Sequence, residues 1–445
     1  MNTTLDLTRG SPLRQIILFG LPVLAGNLLQ ELYNVVDTLI VGRTLGVEML
    51  AAVGSTGSLN FLVLGFVMGL TSGCSILSSQ RRGAGDEAGL RRSVAAHLSV
   101  AGLFALVLTL VFSLLARPML TWLRTPDNTL DAAATYLTIL YLGIPATALY
   151  NFLANTMRAV GDSRTPLVLL ACSSILNIGL DLLMIVVFRW GVAGAAIATV
   201  LAQLISGLLC LAIVVRRMRF LLPDRESWRG VKDEFLPSLK TGVPMGLQLS
   251  VIAIGMIVLQ FVLNGFGSDA VAAYTVGGRI QSLAQNPLMT MNTVMATYAG
   301  QNYGARAYGR IRRGVKSALL FTVGLAVAIA AVVLLLRRPI LLLFIDASET
   351  AALELAERYL FWCCPPLFLL SFLFVCRGAL QGLGNTVIPL LGSALELAMR
   401  AVIPAIFGSA LGFTAICLAG PAAWLACGGV SVAAYFVLER RLPAE

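Results

Sequence analysis

Asp37 lies inside PVLAGNLLQELYNVVDTLIVG, the run from Pro22 to Gly42, which otherwise reads as membrane-spanning. On a helix turning about 100° per residue, Asn27, Gln30, Glu31, Asn34, Asp37 and Thr38 fall within an arc of roughly 120°, with Leu28, Leu32, Val35, Val36 and Leu39 on the far side. A charge at the centre of a bilayer costs about 2.5 kcal/mol or more, so acids within spans face a cavity or the bundle interior and mark ion or substrate paths. Asp37 is therefore the first candidate for a functional centre; the alternative is that it merely caps or pairs within the bundle. A second acid, Asp181, completes a four-residue rhythm with Ser173 and Asn177. Thr147, Asn151 and Asn155 repeat that rhythm, and Thr199, Gln203 and Ser206 share one helix face. Taken singly, an asparagine or threonine in such a place ordinarily makes an interhelical hydrogen bond. Two carboxylates with amide and hydroxyl oxygens around them suit a proton or a hard cation.

The second half has no acid at the place corresponding to Asp37, which falls near Leu259. It offers Gln281, Gln285 and Asn292 interleaved with Met289, Met291 and Met295. Methionine is deformable and suits surfaces that accept varied ligands, although in apolar helices it also serves plain packing. A substrate cavity would draw on Gln30, Asn34 and Gln203 from the first half and on Gln281, Gln285, Met289 and Asn292 from the second. Glu396 and Arg400, four residues apart, read as a self-neutralised pair.

The elements that carry these residues are membrane helices. The 445-residue chain is 58% hydrophobic and 12% charged, with a mean hydropathy of +0.86, against roughly 25% charged in a soluble domain. Apolar runs long enough to span a bilayer lie near 13–43, 47–79, 92–116, 132–157, 165–188 and 192–215, then near 238–264, 269–300, 314–336, 352–380, 386–408 and 412–438. Lobes of six spans are expected over 1–215 and 238–445, joined by a polar linker, 216–237. The first run has polar residues within it and no small-residue cleavage site, so it is expected to be a retained helix. If the N-terminus is cytoplasmic, 23 of the 32 lysines and arginines, Arg377 among them, lie at cytoplasmic ends and 6 at outer ends. The positive-inside rule then puts both termini in the cytoplasm of an inner-membrane protein. The net charge of +10 follows from this bias, so no nucleic-acid partner is expected.

Metal and cofactor chemistry is not expected. There is one histidine, His97, no CxxC or HExxH pairing, and eight cysteines mostly within apolar runs. A membrane-embedded enzyme would need a metal or a DDxxD-type pair, and neither occurs.

The two sixes repeat one another. Gln80, Gly83 and Arg91-Arg92 return 221 residues later as Gln301, Gly304 and Arg312-Arg313, and Arg117-Pro118 returns as Arg338-Pro339. Tyr136-Leu137 matches Tyr359-Leu360, and MRAVGD matches LQGLGN, at a spacing of 223. Units with an even number of spans share one topology, so the halves should be related by an axis along the membrane normal, as in transporters that bind substrate between halves.

LYNVVDTLIVG followed by LAAVGSTGS, LRTPDNTLDAAATYLTILYLGIP, NTMRAVGDSRTPL with NIGLDLL, GVAGAAIAT, and the returning VGGRI and YAGQNYGA together resemble the MATE family of multidrug and toxin extrusion transporters over essentially the whole chain. The resemblance implies an all-α polytopic exporter of twelve helices in two pseudo-symmetric lobes; a monomer is expected. It would exchange protons or sodium for organic cations and other amphiphilic molecules. In the branch resembling the DNA-damage-inducible and archaeal members, the coupling acid is on the first helix, matching Asp37, and a second is on the fifth, matching Asp181. Asn177, Thr199 and either Asn151 or Asn155 match its supporting positions, and any sodium would sit among Asp37, Asp181, Asn177 and Thr199. Pro22 matches the point where the first helix of the family is proposed to bend. The chain departs from the vibrio-type branch in having no acid within the seventh helix and only Glu357 near the tenth; Glu31 matches no family position. A lipid-linked oligosaccharide flippase of the same superfamily is the alternative, but it would want a basic cavity where this first-half stripe is acidic.

Overall fold

Long apolar runs punctuated by glycine and proline become helices, because in lipid a helix satisfies every backbone group within one segment. In a computed structural model, which describes residues 4–443, the helices are α1 (Pro12–Leu45), α2 (Val47–Gly83), α3 (Glu87–Trp122), α4 (Asp127–Leu142), α5 (Ile144–Ala159), α6 (Arg164–Asp181) and α7 (Gly191–Arg217). After the short α8 (Arg225–Arg229) come α9 (Val231–Asn264), α10 (Ser268–Gly304), α11 (Tyr308–Leu341), α12 (Thr350–Cys363), α13 (Leu367–Gly382), α14 (Val387–Leu411) and α15 (Phe413–Arg441). No strand occurs among the described residues.

Nine of these helices are individually long and apolar enough to cross a bilayer, and two bent pairs raise the number to eleven. The twelfth span is α10, as long as α2 at 37 residues but more polar, since it carries Arg279 and a run of amides. The fourth span is not one straight rod: α4 and α5 meet at 46° across Gly143, with Pro145 opening α5. The tenth bends by 49° between α12 and α13, so WCCPP marks the middle of that span and not its end. Proline has no N–H to continue the helical ladder, which is why both breaks fall beside one. Beyond Asp181 the fifth span continues as a π-helical segment, Leu182–Val187. Leu106, Leu110 and Leu114 point outward from α3, as lipid-facing leucines should.

The repeat is visible in the backbone. Left-handed glycines occur at Gly46 and Gly267 (φ 85° and 89°), at Gly161 and Gly384 (94° and 89°), and at Gly191 and Gly412 (58° and 55°), spaced by 221 or 223 residues. Each ends one helix and lets the next begin, a turn that a side chain would strain.

The described residues pack as two compact units, one made of 4–6 with Leu18–Ser250, the other of Leu7–Ile17 with 251–443. This division falls inside α9 and not in 216–237. The cause is close helix contact: a Cβ added to Gly69 or Gly73 of α2 would come within 2.2 or 2.4 Å of the carbonyl oxygens of Met245 and Thr241. Backbones this near gain dispersion over their length, the usual adhesive of membrane helices. Ser250 Oγ also donates to the Leu62 carbonyl at 3.0 Å, and Arg81 pairs with Glu234. The polar stretch before α9 is held to the same unit, since Asp224 caps α8 and pairs with Arg91 at 2.9 Å. Those bonds, the Ser227 amide first, pull the Asp224 carboxyl down to about 2.

In the second unit, Gly378 and Gly382 of α13 press on the Asn292 and Ala296 carbonyls of α10 in the same fashion. Its core gathers Leu259, Leu288, Tyr359, Leu360, Leu370 and Trp424. Leu7 and Gly10 belong to it because Asn302 Nδ2 and the Arg310 guanidinium donate to their carbonyls.

Candidate functional site

Three helices of the first unit each bring a pair of polar residues one turn apart to a single place. α1 supplies Tyr33 and Asp37, α6 supplies Asn177 and Asp181, and α7 supplies Thr199 and Gln203. Residues four apart on a helix lie on one face, so each pair is delivered by one rotational setting of its helix. Those settings are held by the apolar cluster of Ile40, Val41, Leu140, Ile185, Val192 and Ala195, drawn from α1, α4, the π-helical segment and α7.

The carboxyls of Asp37 and Asp181 lie side by side, within hydrogen-bonding reach of one another. Asp181 is fully buried and Asp37 half-buried. Asp37 Oδ1 and both oxygens of Asp181 are buried with no hydrogen-bond partner, as are both amide atoms of Asn177 and Oε1 of Gln203. Buried polar groups are normally satisfied; a proton shared between the two carboxyls would bond them to each other, and the amides of Asn177 and Gln203 lie beside that pair. Tyr33 Oη stands 3.4 Å from Thr199 Oγ1, which ties α1 to α7 beside the acids. Tyr136 of α4, also buried, feels both carboxylates. A cavity of about 10 Å³, lined by Gln30, Tyr33, Ser173, Asn177 and Gln203 among others, opens next to them. That is close to the smallest space that holds one water.

The structure thus brings together Asp37, Asp181, Asn177, Thr199, Gln30 and Gln203. Asn151 and Asn155 are engaged elsewhere: Asn151 Nδ2 bonds to the Thr147 carbonyl of its own helix, while Asn155 bonds Thr71 of α2 at 3.2 Å and accepts from Arg158. Asn34 is exposed, and its carbonyl accepts from Thr38. Helix α1 runs unbroken through Pro22. Tyr33 and Tyr136 were not among the residues expected from sequence. Tyr33 could have been found, since it precedes Asp37 by one turn.

In the second unit Gln281 meets the Tyr359 hydroxyl, and with Gln285 it borders a separate cavity of about 180 Å³. Asn292 is turned to Gln381 at 3.1 Å, and Met289 is exposed. Arg377, counted above with the cytoplasmic arginines, is instead buried inside this unit at 3% exposure, 3.7 Å from Glu396. Glu396 and Arg400 are joined at 2.8 Å as the spacing led one to expect, and Arg377 adds a second cation, so the three together carry a positive charge in excess.

The family model MatE matches this chain twice, over residues 22–183 and 244–406. The Bacillus subtilis protein named probable multidrug resistance protein YpnP is 31% identical over 381 residues, covering 85% of this chain and 84% of the relative. Among solved structures, a mutant of the Vibrio cholerae MATE transporter VcmN superposes with a TM-score of 0.90 at 24% identity, over 97% of both chains. A MATE crystallised in what is described as the bent conformation gives 0.88 at 23% identity, over 98% of this chain and 97% of that one. At such identities the structural likeness carries the fold alone.

Proposed function

Because the chain belongs to the MatE family, whose members are multidrug efflux transporters of the membrane and not enzymes, we propose that it exports organic cations and amphiphilic compounds in exchange for protons or sodium. The observation that carries the reading is the buried pair of Asp37 and Asp181 with unpartnered oxygens around it. Two carboxylates side by side repel, and a proton or a sodium ion between them relieves that repulsion. Asn177 Oδ1 and Thr199 Oγ1 add the neutral oxygens that a hard cation prefers.

Binding of the ion draws α1 towards α6, and release on the other side of the membrane lets them part. An ion can shift such an equilibrium only by its difference in affinity for the two states, so ion and drug must favour opposite ones. Pro22, about four turns before Asp37, is where α1 lacks a hydrogen bond and bends most cheaply. The two halves of the repeat open to each side in turn, in the cytoplasmic membrane with both termini inside.

The test is drug efflux in inside-out vesicles under an imposed pH or sodium gradient. A fluorescent cation such as ethidium should be taken up when either gradient is applied and should stop when it is collapsed. Uptake indifferent to both gradients would overturn the coupling.

A further inference from the structure

The interior of the second unit has the opposite electrical character from that of the first. Glu396 of α14 is shared by two guanidiniums: Arg400 Nη2 donates to one carboxylate oxygen at 2.8 Å, and Arg377 Nη2 of α13 stands 3.7 Å from the other. Arg377 also donates to Cys427 Sγ at 3.0 Å. Two cations to one anion leave a positive charge in excess within the protein. Buried charges are costly unless paired, and no other carboxylate reaches this cluster among the described residues.

The excess faces the 180 Å³ cavity. Arg400 lines it with Tyr274, Gln281, Gln285, Tyr359 and Trp424, and no acidic residue does. Of Arg400's nitrogens only Nη2 has a hydrogen-bond acceptor among the described residues. The guanidinium therefore keeps a free edge, the geometry that grips a carboxylate through two parallel bonds. The rings of Tyr274 and Tyr359 meet edge to face at 5.2 Å, and Gln281 is locked to the Tyr359 hydroxyl, so the walls are rigid and aromatic. A space of roughly 150 Å³ accommodates benzene, so one aromatic ring with its carboxylate fits.

We propose that this cavity is a binding subsite for aromatic carboxylates, and that it holds the anionic end of exported compounds that carry one. The site rests on the export reading for its use in transport, and on its own geometry for binding.

Purified protein in a neutral detergent, with no gradient present, is titrated calorimetrically with salicylate, with its neutral counterpart salicylamide, and with benzyltrimethylammonium. Salicylate should bind at least ten-fold more tightly than either. Arg400→Gln leaves Glu396 paired with Arg377 alone, cancels the excess charge, and should weaken salicylate at least ten-fold, while Arg400→Lys retains part of the affinity. Glu396→Gln doubles the excess and should tighten it, which tests the idea even if Arg400→Gln does not fold. Salicylamide binding as well as salicylate, or a salicylate affinity unmoved by Glu396→Gln, would overturn the proposal. Salicylate binding in a protein that exports nothing under a gradient would sustain the subsite and count against the export reading; gradient-driven export without salicylate selectivity would do the reverse.

Discussion

Replacing the Asp37 carboxylate by an amide keeps its size and removes its ionisation. Asp37→Asn should cut gradient-driven efflux at least ten-fold while the protein purifies folded, and wild-type rates in reconstituted vesicles would remove Asp37 from the mechanism. Asp181→Asn should do the same under the proposal that the two carboxyls act as one site. Residues that act as a unit are not additive, so the double variant should transport little worse than either single one. Asp37 was legible from sequence because an acid in an apolar run is so expensive that it must have a purpose. Tyr33 and Tyr136 were not legible in that way. A tyrosine in a span is an ordinary packing residue until the neighbouring helix turns out to bring a carboxylate to it. The burial of Arg377 was not legible either, since an arginine near a span end is ordinarily an exposed anchor, and only the fold brings Glu396 and Cys427 to meet it.

The hinge proposed for helix α1 is at Pro22, inside a helix that runs unbroken through it. Pro22→Ala restores the missing backbone bond and stiffens the helix, so turnover should fall several-fold while the equilibrium affinity for a drug stays within about two-fold. A variant unchanged in both would dispose of the hinge. The seam between α2 and α9 is a matter of packing. Gly73→Ala forces a methyl against the Thr241 carbonyl, and overpacking of this sort costs about 1–3 kcal/mol. It should lower the melting temperature in detergent, whereas Gly54→Ala, with nothing within 4 Å of the added carbon, should not. Spans were readable in the sequence as hydropathy, but the bends inside the fourth and tenth were not, since each read as one apolar run. The seam was not, because Gly69 and Gly73 look like any small residues in a span until Met245 and Thr241 lie against them.

Coupling by a pair of acids has a consequence for the whole transporter. Exchange of one proton for one monovalent cation moves no net charge, and the membrane potential then contributes nothing. Two protons entering per monovalent cation exported would let the potential drive transport, at about 2.3 kcal/mol per 100 mV, or roughly a fifty-fold gradient. With both Asp37 and Asp181 in the site, we expect two. Vesicles oriented as in the cell, loaded with the cation and given an inside-negative potassium-valinomycin potential without a pH or sodium gradient, should export it. Silence under that potential would mean one shared proton. The duplication behind this architecture was legible as a spacing of 221 to 223 residues, and three pairs of left-handed glycines at helix junctions keep the same spacing. What the repeat could not tell is that its halves have parted in charge, acids in one interior and arginines in the other.

The π-helical segment after Asp181 is a reserve of length. Bonding five residues back instead of four, it winds one residue more into the distance between Asp181 and Gly191 than an ordinary helix would need. A single deletion within Leu182–Val187 can be absorbed by rewinding, with everything before and after it keeping its bearing. The same deletion between Gly194 and Thr199 swings the rest of α7 by about 100° and turns Thr199 and Gln203 away from Asp181. Length variation among natural relatives, and tolerance in a deletion scan, should therefore collect on the far side of Asp181 and be absent from the helix opposite.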